Sequence, residues 1–316
     1  MNNHSIIIAI LLGLAIPWIL FSGREAAIQE DPPEETELSV IDERSDANII
    51  RVSMDDGKVH ALEMDDYLLG VLAGEMPEGF ELEAMKAQAV VARTFSFKNI
   101  QSKYKHNGYD VCTDSGCCQD YYSPDQYEAS GGCLDKFRQA ISETSGEVLL
   151  YDNELIEATY FSCSGGRTED ASAVWGMDIP YLRSVESPGE EQANHYMDTI
   201  VLDAEDLEGK LETSLQGVPG SWIGEVTYTA GGGVKTIEIG GVEYSGNDIR
   251  KKLGLYSTAF VISVVGERVT VTTKGFGHRV GMSQYGADAM AVQGKDYADI
   301  LSYYYPETQL KIYENV

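Results

Sequence analysis

The chain has 316 residues, of which 51 are acidic and 23 are Lys or Arg, so its formal net charge at pH 7 is −28. Phosphates would repel such a chain unless it carried a concentrated basic patch, and the sequence has no run of basic residues. We therefore exclude a binder of nucleic acid or of anionic membrane surfaces. With 43% hydrophobic residues the chain can bury a sizeable core.

An unbroken apolar run extends from Ile6 to Phe21 near the N-terminus. With its flanks, residues 5–23, it is long enough to cross a hydrocarbon core of roughly 30 Å. A cleaved signal peptide is the alternative, but no small-x-small cleavage site precedes Arg24. We predict an uncleaved, single-pass transmembrane anchor, with residues 1–4 as a cytoplasmic tail and the rest of the chain on the extracytoplasmic side.

An acidic, proline-containing segment, residues 24–47, follows the anchor. It has few large apolar residues to bury, so we predict a solvated linker that holds the folded part away from the bilayer. Residues 48–316 are expected to fold, as one domain or as two lobes, 48–195 and 196–316.

Hairpin and helix patterns alternate along the folded part. Residues 48–64 contain two alternating runs around an Asp-Gly turn, which is typical of a β-hairpin. Further hairpins are predicted at residues 146–166 and 259–275, and helices at residues 65–75, 81–104, 135–142, 203–214 and 246–253. Because strands occur as hairpins more than as βαβ units, we predict an α+β fold.

A carboxyl group and two cations lie near the junction of the first two predicted helices. Glu75 ends the first helix, and Lys86 and Arg93 follow seven residues apart on the second, so both cationic heads project from one face. A carboxyl facing two fixed cations would suit acid–base catalysis. The same residue types would equally suit an ordinary salt bridge between helices.

Four motifs resemble, in order, those of the stage II sporulation protein D family. They read GEMPEGFELEAMKAQAVVARTFSF, CTDSGCCQDYYSP, ATYFSCSGGRTEDASAVWG and GFGHRVGMSQYGADAMA. The resemblance implies a membrane-anchored enzyme that cleaves peptidoglycan glycan strands during engulfment of the forespore in sporulating Gram-positive bacteria. It also implies Glu75 as the catalytic glutamate, with Lys86 and Arg93 as supporting basic residues.

The implied reaction is that of a lytic transglycosylase, which needs one carboxylic acid rather than the pair used by glycoside hydrolases. Glu75 would protonate the glycosidic oxygen between N-acetylmuramic acid and N-acetylglucosamine. It would then accept the proton of the sugar's own 6-hydroxyl, which closes a 1,6-anhydro ring. Since neighbouring cations lower the pKa of an acid, Lys86 and Arg93 are assigned to binding substrate or to stabilising ionised Glu75.

Three alternatives to a transglycosylase stay open at this point. Glu78, Glu81 or Glu83 could supply a second carboxylate, which would allow hydrolysis as in a muramidase. A non-catalytic glycan-binding module of the related amidase-enhancer type shares the turn motifs, although the retained Glu75, Lys86 and Arg93 argue against it. A thiol or zinc metalloenzyme would need an open metal site, and the sequence has no HExxH-like arrangement.

Four of the five cysteines lie close together, downstream of His106. Thiols and an imidazole suit tetrahedral zinc, although an exported chain could form disulfides instead. Clostridial members of the family look similar here, which implies a structural zinc site at His106, Cys112, Cys117 and Cys118, with Cys117 where a histidine is usual. Because the vicinal Cys117 and Cys118 cannot easily both face one ion, Cys133 is the substitute fourth ligand.

Two glycine-containing turns carry polar residues that are predicted to line the substrate cleft. They are Ser162, Ser164 and Arg167 in the first turn, and His278, Ser283, Gln284 and Tyr285 in the second. Alternatively, they only cap and pack the helices nearby. A dinucleotide-binding turn is rejected, because the spacing G-x-G-x-x-x-G differs from the fingerprint and no βαβ series surrounds it.

The resemblance also implies partners in an engulfment complex, a membrane-anchored amidase that removes stem peptides and a membrane scaffold protein. The sequence shows no binding face for either of them. Whether the chain forms a homodimer, and whether it needs peptide-free glycan, is left open by the sequence.

Overall fold

The computed structural model describes residues 48–102 and 105–313, which belong to one compact unit, Asp46–Val316. The predicted cytoplasmic tail, anchor and acidic linker all lie outside the described residues. Within the described ranges, no helix combines the length and the apolar character needed to span a membrane.

Helices and strands are mixed along the chain, so the predicted α+β class is confirmed. The α-helices are α1 (Met64–Glu75), α2 (Leu82–Ser102), α3 (Pro124–Ala129), α4 (Asp135–Glu143), α5 (Ala171–Trp175), α6 (Ala204–Leu211), α7 (Gly246–Leu253), α8 (Gln284–Val292) and α9 (Tyr297–Tyr304). The strands are β1 (Ile49–Ser53), β2 (Val59–Glu63), β3 (Val111–Cys112), β4 (Glu147–Tyr151), β5 (Glu154–Leu155), β6 (Tyr160–Phe161), β7 (Met197–Leu202), β8 (Ile223–Tyr228), β9 (Val234–Ile239), β10 (Val242–Ser245), β11 (Phe260–Val265), β12 (Arg268–Lys274), β13 (Met282–Ser283) and β14 (Gln309–Ile312).

The strands form small sheets, and most neighbouring strands within a sheet are antiparallel. The sheet orders are β2-β1-β3, β10-β9-β8, β11-β12-β7, β13-β6 and β14-β4-β5. The antiparallel pairs β1–β2, β4–β5 and β11–β12 confirm the three predicted hairpins. The pair β6–β13 is parallel and joins two segments that are far apart in sequence. It therefore brings the two glycine-containing turns of the sequence side by side.

Helix α2 lies at the centre of the larger hydrophobic cluster. Its alanines at 84, 87, 89 and 92 are fully buried, and it packs against α1, α4, α8, α9 and β4. A helix that is buried on nearly every side is a core element rather than an amphipathic surface helix. Alanine side chains allow neighbouring helices to approach α2 closely, which explains the strong helical signal of this segment.

A second hydrophobic cluster is formed by residues between Leu207 and Val271, with β8, β9, β12 and helices α6 and α7 contributing. The chain then returns to the first cluster, to which Val280, Met282 and Ile300 belong. The segment from β7 to β12 is thus inserted between two parts of the first cluster. The lobe boundary predicted between residues 195 and 196 stays a prediction.

Candidate active site

A cavity of about 640 Å³ opens beside the C-terminal end of α1, where Glu75 lies. Its volume falls within the range of roughly 300–1,000 Å³ that is usual for ligand pockets. The lining residues come from segments far apart in sequence: Glu75, Phe95, Ser115, Gly116, Cys117, Cys118, Asp120, Ala158, Thr159, Tyr160, Phe161, Ser162, Arg250, Phe276, Gly277, His278 and Gln284.

The Glu75 carboxylate accepts three hydrogen bonds inside this cavity. Its Oε1 accepts from the backbone N–H of Asp120 and from the hydroxyl of Tyr160, both at 2.8 Å. Its Oε2 accepts from the side-chain amide of Gln284 at 3.2 Å. The carboxyl group is therefore fixed in position by donors from three different segments.

Two glycines of α1 allow the Asp120 segment to approach Glu75. A Cβ at Gly70 would lie 2.1 Å from the ring of Tyr121, and a Cβ at Gly74 would lie 2.9 Å from the Tyr121 backbone nitrogen. The backbone N–H of Tyr122 also donates to the carbonyl of Gly70 at 2.9 Å. Only glycine leaves room for this backbone to lie against the helix, and the contact delivers the Asp120 N–H to the carboxylate.

The parallel pair β6–β13 delivers the other two donors. Its register sets Met282 opposite Tyr160 and Ser283 opposite Phe161, so Tyr160 and the start of α8 are neighbours. Ser283 caps α8 by accepting a hydrogen bond from the N–H of the third residue after it, which fixes the position of Gln284 as the first residue of the helix.

A buried glutamate that sequence reasoning missed supports the same two turns. Glu190 is 1% exposed, and its carboxylate accepts hydrogen bonds from the N–H and hydroxyl of Ser164 and from the N–H of Gly165. It also accepts from the hydroxyls of Ser187 and Ser283. Five donors satisfy this buried charge, so Glu190 ties the turn after β6 to the start of α8.

Burial raises the pKa of the Glu75 carboxyl above its ordinary value. The hydrogen bonds from Asp120, Tyr160 and Gln284 act in the opposite direction, and the negative charge of Asp120 adds to the rise. Burial prevails, so the protonated form of Glu75 persists to higher pH than for an exposed glutamate. A general acid needs this property.

Only some of the predicted cleft residues reach the cavity. Ser162, His278 and Gln284 line it. Burial and the positive charge of Arg250 lower the pKa of His278 to about 4, so its imidazole is neutral at pH 7.

The other predicted cleft residues contact neighbouring side chains outside the cavity or cap a helix. Ser164 and Ser283 bind Glu190, and the Arg167 side chain pairs with Glu186 at 3.2 Å. The ring of Tyr285 packs edge-on against Phe80 with centroids 4.9 Å apart. For these four residues the alternative reading, capping and packing, describes their contacts.

Lys86 and Arg93 do project from one face of α2, but that face packs against α4 and not against Glu75. The Lys86 ammonium pairs with Glu83 at 2.8 Å and with Glu143 at 2.5 Å. Arg93 is 1% exposed, and its guanidinium donates to backbone carbonyls around the end of α4, including that of Thr144 at 2.8 Å. Neither side chain lines the Glu75 cavity, and both support the packing of α2 against α4. Their predicted role, binding substrate or stabilising ionised Glu75, stays a prediction.

The three glutamates that follow Glu75 do not line the cavity either. Glu78 accepts from the backbone N–H of Cys133 at 3.4 Å, and Glu83 accepts from the backbone N–H of Tyr297 at 2.9 Å in addition to its ion pair. Glu81 is exposed at the start of α2. The second carboxylate that does line the cavity is Asp120, which sequence reasoning missed.

His106, Cys112, Cys117 and Cys118 form a group whose ligand atoms all lie within 4.8 Å of one another. The expected obstacle, the vicinal cysteines, is removed by a tight turn in which the backbone N–H groups of Cys117 and Cys118 both donate to the carbonyl of Asp114. This group could hold a metal ion. Cys133, the predicted substitute ligand, is exposed and lies outside the group, and all five cysteines are free thiols.

Comparison with known proteins identifies the family. A family model described as stage II sporulation protein matches residues 54–151. Stage II sporulation protein D of Bacillus subtilis (strain 168) is 41% identical over 260 residues, which cover 80% of this chain and 75% of that protein. The chain belongs to the stage II sporulation protein D family.

Two further relatives are similar to this chain. Stage II sporulation protein D of Bacillus amyloliquefaciens is 36% identical over 315 residues, covering 93% of this chain and 91% of that protein. A B. subtilis protein named amidase enhancer is 29% identical over 305 residues, covering 78% of this chain and 40% of that protein. The predicted resemblance to a sporulation family is therefore confirmed.

The stage II sporulation protein match includes Glu75, the His106 and cysteine group and Asp120, but the cavity extends beyond it. Tyr160 lies within a motif that the sequence analysis quoted, although its role as a donor to Glu75 depends on the β6–β13 pairing. Arg250 lies in a helix with three basic residues in its last turn, and nothing in that local pattern distinguishes it from its neighbours.

We expect Arg93→Met to lower the free energy of unfolding by about 2–4 kcal/mol, because buried backbone carbonyls lose their donor. The matched control is Arg51→Met, whose guanidinium is half-exposed and pairs with Asp110. This control should cost less than about 1 kcal/mol. Denaturant titration of both variants measures the difference. Loss of activity by Arg93→Met without loss of stability would contradict the structural role.

Proposed function

We propose that this protein is a lytic transglycosylase that cleaves peptidoglycan glycan strands between N-acetylmuramic acid and N-acetylglucosamine during sporulation. The observation that carries the proposal is Glu75, a carboxyl with a raised pKa that is fixed by three donors in a cavity of ligand size. Membership of a sporulation family supports the biological setting.

The geometry supports an assignment of roles to the two oxygens of Glu75. Oε1 already accepts from Asp120 and Tyr160, so the proton to be delivered belongs on Oε2, where Gln284 is the single donor. Glu75 donates this proton to the glycosidic oxygen. The carboxylate that results is stabilised by the same three donors and then removes the proton of the muramyl 6-hydroxyl, which closes the anhydro ring.

Aromatic residues on the cavity wall suit a sugar ring. Phe95 and Phe276 both line the cavity, and Phe276 has 39% of its surface exposed. Such rings offer flat apolar faces beside polar edges. Because His278 is neutral at pH 7, it can donate or accept a hydrogen bond without repelling Arg250.

A hydrolytic muramidase is the second candidate, because Asp120 is another carboxylate in the same cavity. It could activate a water molecule in place of the 6-hydroxyl. A non-catalytic role is the third candidate, since a relative is named amidase enhancer. The products formed from purified glycan strands distinguish the three.

We expect Glu75→Gln to reduce cleavage of purified glycan strands by a factor on the order of 10² to 10⁴, because the variant keeps the volume and loses the proton. The wild-type products should end in 1,6-anhydromuramic acid, as detected by mass spectrometry. Glu81→Gln is the matched control, an exposed glutamate outside the cavity, and it should cleave normally. Products with a reducing end that carries oxygen from labelled water would show hydrolysis and would contradict the proposed transglycosylase reaction.

We also propose that the group of His106 and three cysteines holds a structural zinc ion. Three thiolates and one imidazole are a preferred tetrahedral donor set for zinc, in which ligand atoms are about 3.5–4 Å apart. Four protein ligands would leave no open position for substrate. Cys117 and Cys118 also line the Glu75 cavity, so the ion would hold in place the loop that supplies the Asp120 N–H.

Elemental analysis of the purified protein should find one zinc ion per chain, and a chelator should lower its melting temperature, since the ion binds only the folded loop. Cys118→Ser should lose the zinc. Cys133→Ser, which alters an exposed thiol outside the group, should retain it. An absence of zinc from the wild-type protein, or equal loss from both variants, would overturn this assignment.

The proposed substrate also supports the proposed location. Glycan strands exist outside the cytoplasmic membrane, so the folded part is placed on the wall side, held by the anchor at residues 5–23. A membrane-anchored amidase and a scaffold protein are the proposed partners in an engulfment complex.

A further inference from the structure

Among the residues that the structure describes, Arg250 is the sole Lys or Arg that lines the Glu75 cavity. It is half-buried in the wall, in a chain whose net charge is −28. The two cations that the sequence analysis had assigned to substrate, Lys86 and Arg93, lie elsewhere. A single cation in the cavity of a strongly acidic protein therefore needs an explanation.

The guanidinium of Arg250 has no acidic partner in the described part of the chain. Its Nε donates to the carbonyl of Leu255 at a long 3.4 Å, and burial alone accounts for the lowered pKa of the side chain. Other arginines near the turns are paired, Arg167 with Glu186 at 3.2 Å and Arg279 with Glu169 at 3.3 Å. Arg250 thus keeps most of its donors for a ligand.

A well-anchored helix holds Arg250 in place. Ile249 and Leu253 of α7 are buried in the second hydrophobic cluster, and the hydroxyl of Ser245 caps the start of the helix. The carbonyl of Arg250 accepts from the N–H groups of Gly254 and Leu255, which end the helix. Because both helix ends are fixed, the cation approaches the cavity from a rigid element.

We propose that Arg250 determines specificity by binding a carboxylate of the substrate. The planar guanidinium matches a carboxylate with two parallel hydrogen bonds, and a neutral amide or hydroxyl cannot replace that charged pair. The inference rests on the proposed function, in which the lactyl group of N-acetylmuramic acid carries a carboxylate and N-acetylglucosamine carries none. Arg250 therefore recognises the muramyl residue.

This assignment removes the conflict between a substrate-binding cation and a protonated acid. Arg250 is not among the main causes of the shift in the pKa of Glu75, whereas it is one for His278. The cation is thus placed to bind the substrate without lowering the pKa of the acid. Arg250 supplies a positive charge to the cavity, and the protonated Glu75 adds no negative charge that would compete with the substrate carboxylate for it.

The test measures binding by calorimetry with the full chain carrying Glu75→Gln, so that the ligand is not cleaved. Three oligosaccharides of equal length are compared: N-acetylglucosamine alone, the alternating N-acetylglucosamine–N-acetylmuramic acid strand, and that strand with its lactyl carboxylates converted to amides. We expect the alternating acid to bind roughly tenfold or more tightly than its amide. Equal affinities for acid and amide would overturn the inference, and so would an absence of binding to the acid.

Substitution assigns this preference to one residue. When Arg250→Gln is added to the Glu75→Gln protein, the affinity for the alternating strand with free carboxylates should fall by roughly ten- to a hundredfold. The affinities for the two neutral oligosaccharides should not change. Lys251→Gln is the matched control, because it removes the same charge from an exposed position one residue away. Equal loss for all three ligands, or equal loss by Lys251→Gln, would contradict the proposal.

If Arg250→Gln does not fold, the comparison of acid and amide in the Glu75→Gln protein still decides whether a carboxylate is recognised. Arg250→Lys keeps the charge but loses the planar fork, so it should bind the acid with intermediate affinity.

The products of cleavage separate this inference from the proposed function. Products of hydrolysis would contradict the transglycosylase reaction but would leave the preference for a carboxylate intact.

Discussion

The balance between burial and hydrogen bonding at the Glu75 carboxyl is the interaction on which the rest of this account depends. Burial favours the neutral acid, and three donors favour the carboxylate. Those donors come from the loop after Cys118, from β6 and from α8. Each of these hydrogen bonds constrains the fold, because the three segments are distant in sequence and must meet within one cavity.

Several contacts away from the cavity hold these three segments in position. Gly70 and Gly74 allow the Asp120 loop to lie on α1, and the group of His106, Cys112, Cys117 and Cys118 precedes that loop in sequence. Glu190 ties the turn after β6 to the cap of α8. The core helix α2 carries no residue that binds the Glu75 carboxylate, yet Arg93 fixes it to the end of α4. Positioning and chemistry are thus divided among different residues.

Much of the fold follows from local sequence, because hairpins and helices depend on short-range patterns. The hairpins and the helices around Glu75 are where those patterns predict them, with ends that differ by a few residues. The α9 helix and the short strands β6 and β13 carry weak local signals, since two-residue strands exist only through their partner. Neither α9 nor β13 was predicted, whereas β6 lies within the hairpin predicted at residues 146–166 but pairs with β13.

The site was predictable to the extent that it depends on motifs rather than on packing. Gln284 and His278 lie in a quoted motif and line the cavity. Helical periodicity sets Lys86 and Arg93 on one face but does not say what that face contacts, and the answer, α4, is a tertiary contact. Arg250 could not have been found, because its role depends on where α7 packs. Local spacing carries no information about that placement.

The pKa of Glu75 tests the central claim most directly. It can be measured by NMR titration of side-chain carboxyl carbons in labelled protein, with the resonance assigned by its absence in Glu75→Gln. We predict a value above the ordinary 4.5, and a further rise in Tyr160→Phe, because that variant removes a donor that favours the carboxylate. A Glu75 pKa at or below 4.5, or a fall in Tyr160→Phe, would contradict the account.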